Sequence, residues 1–346
     1  MSYEIGMAAM RLEMAERIGH TEYHSNYALI RAVTGKEPTT DPDAWRAFND
    51  AWEIDLIWST NDGPTDWALR GRVTDMGHAE FLEHGADWRD TVTCPFATVD
   101  EVLAFDAVSE YGLPDFEELV RFYEQAHRSA QTANPNQIHT AGYYKTIISG
   151  AIQAFGWDML LAAAADRAGF ARVLDSFFEL AAHHFRAWAR TSAPVFIDHD
   201  DFVWSAGAFM SPAFYRAEII PRYRRLWQIL HEAGKTVLFC SDGDWSIFID
   251  DIAEAGADGF IFEPTTDLEH IVRRYGQTHV IVGSKVDCRT LTFGDKEEIA
   301  AEVRATLGLA QACPGFMVAV GNHIPSNVPV DNALWYFDCL RSGWRR

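Results

Sequence analysis

Cysteine is scarce in this chain of 346 residues: Cys94, Cys240, Cys288, Cys313 and Cys339 are odd in number, far apart and form no Cys-x-x-Cys pair. That excludes a disulfide framework and a zinc finger and suits a reducing compartment. Basic residues are also few. Lys and Arg number 29 against 50 Asp and Glu, a net charge of −21. So acidic a surface repels phosphodiester backbones and anionic lipid, so neither a nucleic-acid nor a membrane partner is expected. Long apolar runs are missing. The longest, Met159 to Ala165, has seven residues, against the roughly 20 that a spanning helix needs. The opening MSYEIGMAAMRLEMAERIGH mixes acids and bases without a secretory apolar core, so a cytoplasmic location is expected. Gly-x-Gly-x-x-Gly, the P-loop, Gly-x-Ser-x-Gly and His-Glu-x-x-His are all absent. Dinucleotide enzymes, P-loop ATPases, serine hydrolases and zincins thereby lose their motifs.

What is present is an ordinary globular composition, 48% hydrophobic and 23% charged, with no repeat, low-complexity tract or linker. One domain over 1–346 is expected, with room for a full core. In the second half, runs at 194–201 (PVFIDHDD), 236–243 (TVLFCSDG), 259–264 (GFIFEP), 279–287 (HVIVGSKVD) and 315–323 (GFMVAVGNH) are apolar and then turn polar. Strands covered on both faces of a parallel sheet read this way. Helices lie between them. Ser211-Pro212 is an N-cap followed by Pro at the first helical position, a pause is expected near Pro221, and Gly234 and Gly256 sit at C-terminal ends. Fainter runs at 20–24, 55–60 and 137–142 bring the strands to eight. That number closes a TIM-type (β/α)8 barrel, an α/β fold, with 61–135 as an inserted helical and loop segment between the second and third strands. An open doubly wound sheet is the rival.

In a barrel the C-terminal strand ends share one mouth. Here they carry Glu22 and His24; Ser59 and Asp62; His139 and Tyr143; Asp198, His199, Asp200 and Asp201; Cys240 and Asp242; Glu263; Lys285 and Asp287; Asn322 and His323. Acids, imidazoles and one thiol converging on a mouth make a metal site or an acid/base site. Each also has a plainer reading. Asp200 and Asp201 can cap the next helix, Cys240 can be a small core residue, Asp242-Gly243 can be a turn, and Lys285 with Asp287 can be an ion pair. His183-His184, on an Ala-rich stretch, reads as a helix-face pair.

The segment DDFVWSAGAFMSPAFYRAEIIPRYRRLWQILHEAGKTVLFCSDGDWSIFIDDIAEAGADGF resembles the uroporphyrinogen decarboxylase-like superfamily, and most closely its cobamide-dependent methyltransferase branch. In that branch an acidic strand end precedes an "LSPE.F…PRY" helix and then a strand ending in His-x-Cys-Gly. GSKVDCRTLTFGDKEEIAAEVR and GFMVAVGNHIPSNVPVDNALWY are similar to the family's "GgiDtq.L..Gt.eei" and "gyila..h.i..dvP.eNi". GYYKTIISGAIQAFGWDMLL is similar to its "GPft.a..l.G.e.ll" stretch. The resemblance implies a TIM barrel and zinc bound through His-x-Cys plus a Cys after the last strand. Cys240, Asp242 and Asn322, with His323 adjacent, stand at those positions, so the ligand set is changed. The decarboxylases' Arg-rich segment for substrate carboxylates has no counterpart after the first strand, since TEYHSNYALIR carries one late Arg.

From these readings a methyltransferase or demethylase acting on a small methylated substrate is expected. Cys240, Asp242, Glu263 and His323 would hold a divalent metal, zinc by preference. Asp200, Asp201 and Asp242 would be the catalytic acids and bases, and His24, Tyr143, His199, Lys285 and Asn322 would bind substrate. A corrinoid on a separate protein would carry the methyl group, and a homo-oligomer is compatible with this reading. The alternative is a metal-free decarboxylase or lyase on a small carboxylic acid. There Asp242 and Asp201 would be the acid/base groups, with Lys285 or Arg289 holding the carboxylate.

Overall fold

The computed structural model describes residues 2–74 and 93–346. Among the described residues nine short strands alternate with helices: β1 (Gly19–His20), β2 (Leu56–Ile57), β3 (Ile138–His139), β4 (Ala141–Tyr143), β5 (Val195–His199), β6 (Thr236–Ser241), β7 (Gly259–Phe262), β8 (Val280–Val282) and β9 (Phe316–Val318). Every pairing is parallel, in the order β1-β9-β8-β7-β6-β5-β4, with β2 paired to β3. β3 and β4 are one extended stretch broken at Thr140, whose side chain replaces the ladder: Oγ1 accepts from Ser59 N–H at 2.9 Å. The ladder does not run unbroken around the circuit. Asp55 N–H reaches His20 O at 2.8 Å beside it, tying the start of β2 to β1. The fold is a TIM-type α/β barrel, and each of the eight expected runs contains or touches a strand.

Alternation sorts the side chains. Val195, Ile197, Leu238, Cys240, Ile261, Val280, Val282 and Met317 form an inner cluster with Leu56 and Ile138. Their neighbours Phe196, Val237, Phe239, Phe260, Ile281, Phe316 and Val318 belong to the outer core under the helices. Period-two alternation in strands buried on both faces requires two such layers. The N-terminal helix Ser2–Met10 adds Ala9 and Met10 to the inner cluster. One end of the barrel is thereby plugged.

Around the strands run the helices Ile148–Ala164, Arg167–Ala189, Ile220–His231, Ile249–Ala255, Leu268–Tyr275, Lys296–Ala310 and Val330–Gly343. Ser211 Oγ caps Phe214 N–H ahead of Pro212, as its position implied. The pause expected near Pro221 is a π-helical turn over Tyr215–Ile219. Gly256, at φ 113°, ends its helix in the left-handed region that a side chain would disfavour. Between β2 and β3 the described residues hold Trp67–Leu69, Val99–Leu103, Ala107–Tyr111 and Phe116–Ala133. The rest of the expected insertion, 75–92, lies outside the described residues. No helix among the described residues is long and apolar enough to cross a membrane.

Candidate active site at the barrel mouth

The inward parity of β5 and β6 continues past their ends. Val195 and Ile197 lead to His199 and Asp201, and Leu238 and Cys240 lead to Asp242. Ligand atoms of His199, Asp201 and Asp242 lie within 4.8 Å of one another. Asp201 is held on three sides. Its Oδ1 accepts from Asp242 N–H at 3.0 Å and from His199 Nε2 at 3.2 Å, and its Oδ2 accepts from Tyr144 O–H at 2.9 Å. The Tyr144 ring meets the His199 ring edge-on at 4.8 Å.

Burial and neighbouring charges set the protonation states. Burial alone would lower the His199 pKa, but the Cys240 thiol and the Asp201 carboxylate beside it outweigh burial and raise it well above the ordinary value. Burial alone would raise Asp201, yet His199 and three donated hydrogen bonds hold it below the usual carboxylate range. Asp242 goes the other way. Burial, then Asp201 and Glu263, push it up to about 8. One carboxyl of this pair is therefore ionised and the other protonated at neutral pH.

Asn322 connects β6, β7 and the last loop. Its backbone is left-handed (φ 67°), a conformation Asn tolerates. Its amide nitrogen donates to Asp242 Oδ2 at 3.3 Å and Glu263 Oε1 at 3.0 Å. Glu263 Oε2 accepts from Gly243 N–H at 2.7 Å. Gly243 is at φ 81°, where a Cβ would stand 2.4 Å from the Trp204 carbonyl oxygen. Only glycine lets the loops bearing Trp204 and Asp242 meet here.

The model of the uroporphyrinogen decarboxylase (URO-D) family matches residues 110–343, more than half of the chain and every residue of the His199–Asp201–Asp242 group. The chain belongs to that family. Among curated relatives, the uroporphyrinogen decarboxylase of Syntrophotalea carbinolica is 27% identical over 171 residues, covering 49% of this chain and 48% of that protein. That of Pelobacter propionicus is 25% identical over 135 residues, 39% of each. The chain thus spans less than half the length of the curated relatives it matches. A solved methyltransferase from Methanosarcina mazei superposes with a TM-score of 0.70 at 16% identity, over 99% of this chain and 98% of that one. That likeness shows the shared barrel.

Within this URO-D family chain, the expected site residues divide. His199, Asp201 and Asp242 come together, and Glu263 and Asn322 lie beside them. Asp200 is turned into the outer core. Its carboxylate accepts from the N–H groups of Ile147, Ile148 and Ser149 at 3.1, 3.0 and 2.5 Å and from Tyr223 O–H at 2.6 Å. It anchors the N-terminus of the helix Ile148–Ala164, which precedes β5, and not the following helix at Pro212 that the capping alternative named, which Ser211 caps. Of the expected metal ligands, Cys240 is buried in the inner cluster as the register partner of His199, and burial raises its pKa. Glu263 has both oxygens committed to Gly243 and Asn322. His323 has both ring nitrogens occupied: Nδ1 donates to Asn322 Oδ1 and Nε2 accepts from Ser25 O–H, each at 3.2 Å. Burial lowers its pKa to about 4, which keeps it neutral.

Three expected substrate-binding residues lie elsewhere. Tyr143 is outward, stacked on His184 at 4.8 Å; its neighbour Tyr144 is the one at the mouth. Lys285 pairs with Glu269 at 2.6 Å. His24 is wedged between Trp45 and Phe48, and burial, then His323, lower its pKa to about 3. Two residues at the mouth escaped notice in the sequence, Tyr144 and Lys145. The alternation Ala141 out, Gly142 in, Tyr143 out is the signal that would have found Tyr144.

Proposed function

We propose that this URO-D family chain is a metal-assisted methyltransferase or demethylase for a small methylated substrate, with a divalent ion held by His199, Asp201 and Asp242. The observation that carries this reading is the convergence of one imidazole and two carboxylates within 4.8 Å at the barrel mouth. The donor set fits a divalent cation, since a nitrogen and two carboxylate oxygens suit zinc and its neighbours. When bound, such an ion supplies Lewis acidity at the heteroatom that gives up or receives the methyl group.

The chain's own residues do the rest. Tyr144 O–H and the Asp242 backbone N–H fix the Asp201 carboxylate, and Asn322 fixes that of Asp242. Loading the site requires His199 and Asp242 to release their protons, so affinity rises with pH. A corrinoid on a partner protein is the proposed methyl carrier; the methyltransferase name of the Methanosarcina mazei structure favours methyl transfer as the chemistry. The reading keeps the cytoplasmic setting expected from the free cysteines.

A second reading rests on the opposite shifts of Asp201 and Asp242. Without metal, a protonated Asp242 beside an ionised Asp201 is an acid/base pair suited to decarboxylation or lyase chemistry on a small carboxylic acid. The names of the curated relatives favour it. That TEYHSNYALIR after the first strand carries a single, late arginine, Arg31, argues against a polycarboxylated tetrapyrrole as the substrate.

The test is metal content after chelator-free purification, followed by methyl transfer from small methylated compounds to free cobalamin with and without chelator. About one ion per chain and chelator-sensitive transfer support the first reading. Metal-free protein that decarboxylates small acids supports the second and overturns the first.

A further inference from the structure

With Lys285 tied to Glu269, the role of holding an anionic group at the mouth falls to another cation. Lys145 follows Tyr144, the residue that bonds Asp201. Its Nζ lies 4.7 Å from the centroid of Trp67, and the residue is half-buried. Among the described residues, no carboxylate oxygen comes within 4.0 Å of this ammonium and no acceptor comes within hydrogen-bond distance. Asp62, the carboxylate that acts on it most, turns its Oδ1 to the backbone, accepting from the Tyr144 and Lys145 N–H groups at 2.7 and 3.3 Å. A half-buried ammonium with three donors and no acceptor has lost hydration that a ligand oxygen can restore.

We propose that Lys145 is the anion anchor of this mouth, and that the small substrate carries a carboxylate which Lys145 binds while its reacting end lies toward His199, Asp201 and Asp242. The inference rests on the reading of the mouth as a small-molecule site, and it holds for either chemistry. A monoanionic carboxylate is the matching ligand. The lysine stands nearest Asp62 and Asp66, and a phosphate dianion would meet that negative field with a single counter-charge. The apolar face of Trp67 beside the ammonium limits competition from water.

Ligand-observed NMR on the full chain tests this, using methoxyacetate, N-methylglycine, their amides and inorganic phosphate as probes. Wild type is compared with Lys145→Met and Lys145→Arg, each checked for unchanged melting temperature. The expected result is saturable binding of the carboxylates to wild type, weakened about tenfold or more in Lys145→Met and largely kept in Lys145→Arg, with no binding of the amides. Equal carboxylate binding by wild type and Lys145→Met overturns the proposal, as does amide binding as strong as carboxylate binding. Phosphate binding as tight as carboxylate binding overturns the assignment of a monoanion. Metal uptake measured on the same proteins separates this result from the metal reading. Lys145→Met retains the ion if that reading holds, and His199→Ala retains carboxylate binding even if the metal assignment fails.

Discussion

Strand β5 and its C-terminal extension carry four consecutive polar residues, and the two faces use them in opposite ways. Asp198 and Asp200 point outward and are spent on the scaffold. Asp198 accepts from Thr146 O–H at 2.8 Å and Trp227 Nε1–H at 2.6 Å, while Asp200 gathers three backbone N–H groups and a tyrosine. His199 and Asp201 point inward, bond to each other and face Asp242. The lesson is that a cluster of acids in sequence is two clusters in space whenever it lies on a strand. Burial on the outer face demands full hydrogen-bond satisfaction, whereas the mouth leaves lone pairs available.

The largest effect expected from this contrast is on stability. Asp200→Ala leaves three amide hydrogens and the Tyr223 hydroxyl unsatisfied in the core. It should cost on the order of 3 kcal/mol in urea unfolding. His199→Ala should cost far less, because its site borders solvent. A cost at His199 equal to that at Asp200 would erase the distinction between the faces.

Next comes the pH dependence of the metal-free protein. Burial, then the charge of Asp200, push Asp198 up to about 7, and Asp242 is raised to about 8. A carboxyl whose folded pKa exceeds its unfolded value binds more protons when folded. Its stabilisation is therefore complete below about pH 4 and is lost as pH rises toward 7 or 8. Melting temperatures of wild type and Asp242→Asn should diverge in favour of the variant as pH is raised from 5 to 9. Parallel curves would show that Asp242 titrates normally.

Smaller changes sharpen the picture inside the barrel. Cys240→Ser places a hydroxyl among inner-cluster side chains and should cost about 1 kcal/mol while leaving metal uptake intact. Loss of the ion in that variant would return Cys240 to the ligand set. The smallest effect is expected for Lys285→Ala. Its partly exposed pair with Glu269 is worth at most about 0.5 kcal/mol, and carboxylate binding should be unchanged.

Much of the fold was legible, because apolar runs ending in polar residues mark buried parallel strands and the caps at Ser211 and Gly256 are local chemistry. The site was half legible. The strand ends are legible, but residue type alone does not separate the two faces; only period-two parity parts Asp200 from Asp201 and Tyr143 from Tyr144. The other misses arise where strands stop early. β8 ends at Val282 and β9 at Val318, so Lys285 and His323 sit in loops whose backbone reorients them. The left-handed turn at Asn322 is such a reorientation, and an asparagine permits that turn without requiring it. Lys145 was hidden for another reason. Its significance lies in the absence of an acceptor among the described residues, a property of three-dimensional packing.

The central claim is that the inward face of β5, together with Asp242, forms the reactive centre. The most direct measurement is a zinc titration of chelator-stripped protein by calorimetry, for wild type, His199→Ala and Asp200→Asn, with folding of each confirmed by circular dichroism. The account predicts about one site per chain in wild type and in Asp200→Asn and none in His199→Ala. Undiminished binding in His199→Ala, or a wild type that binds no zinc, would contradict it.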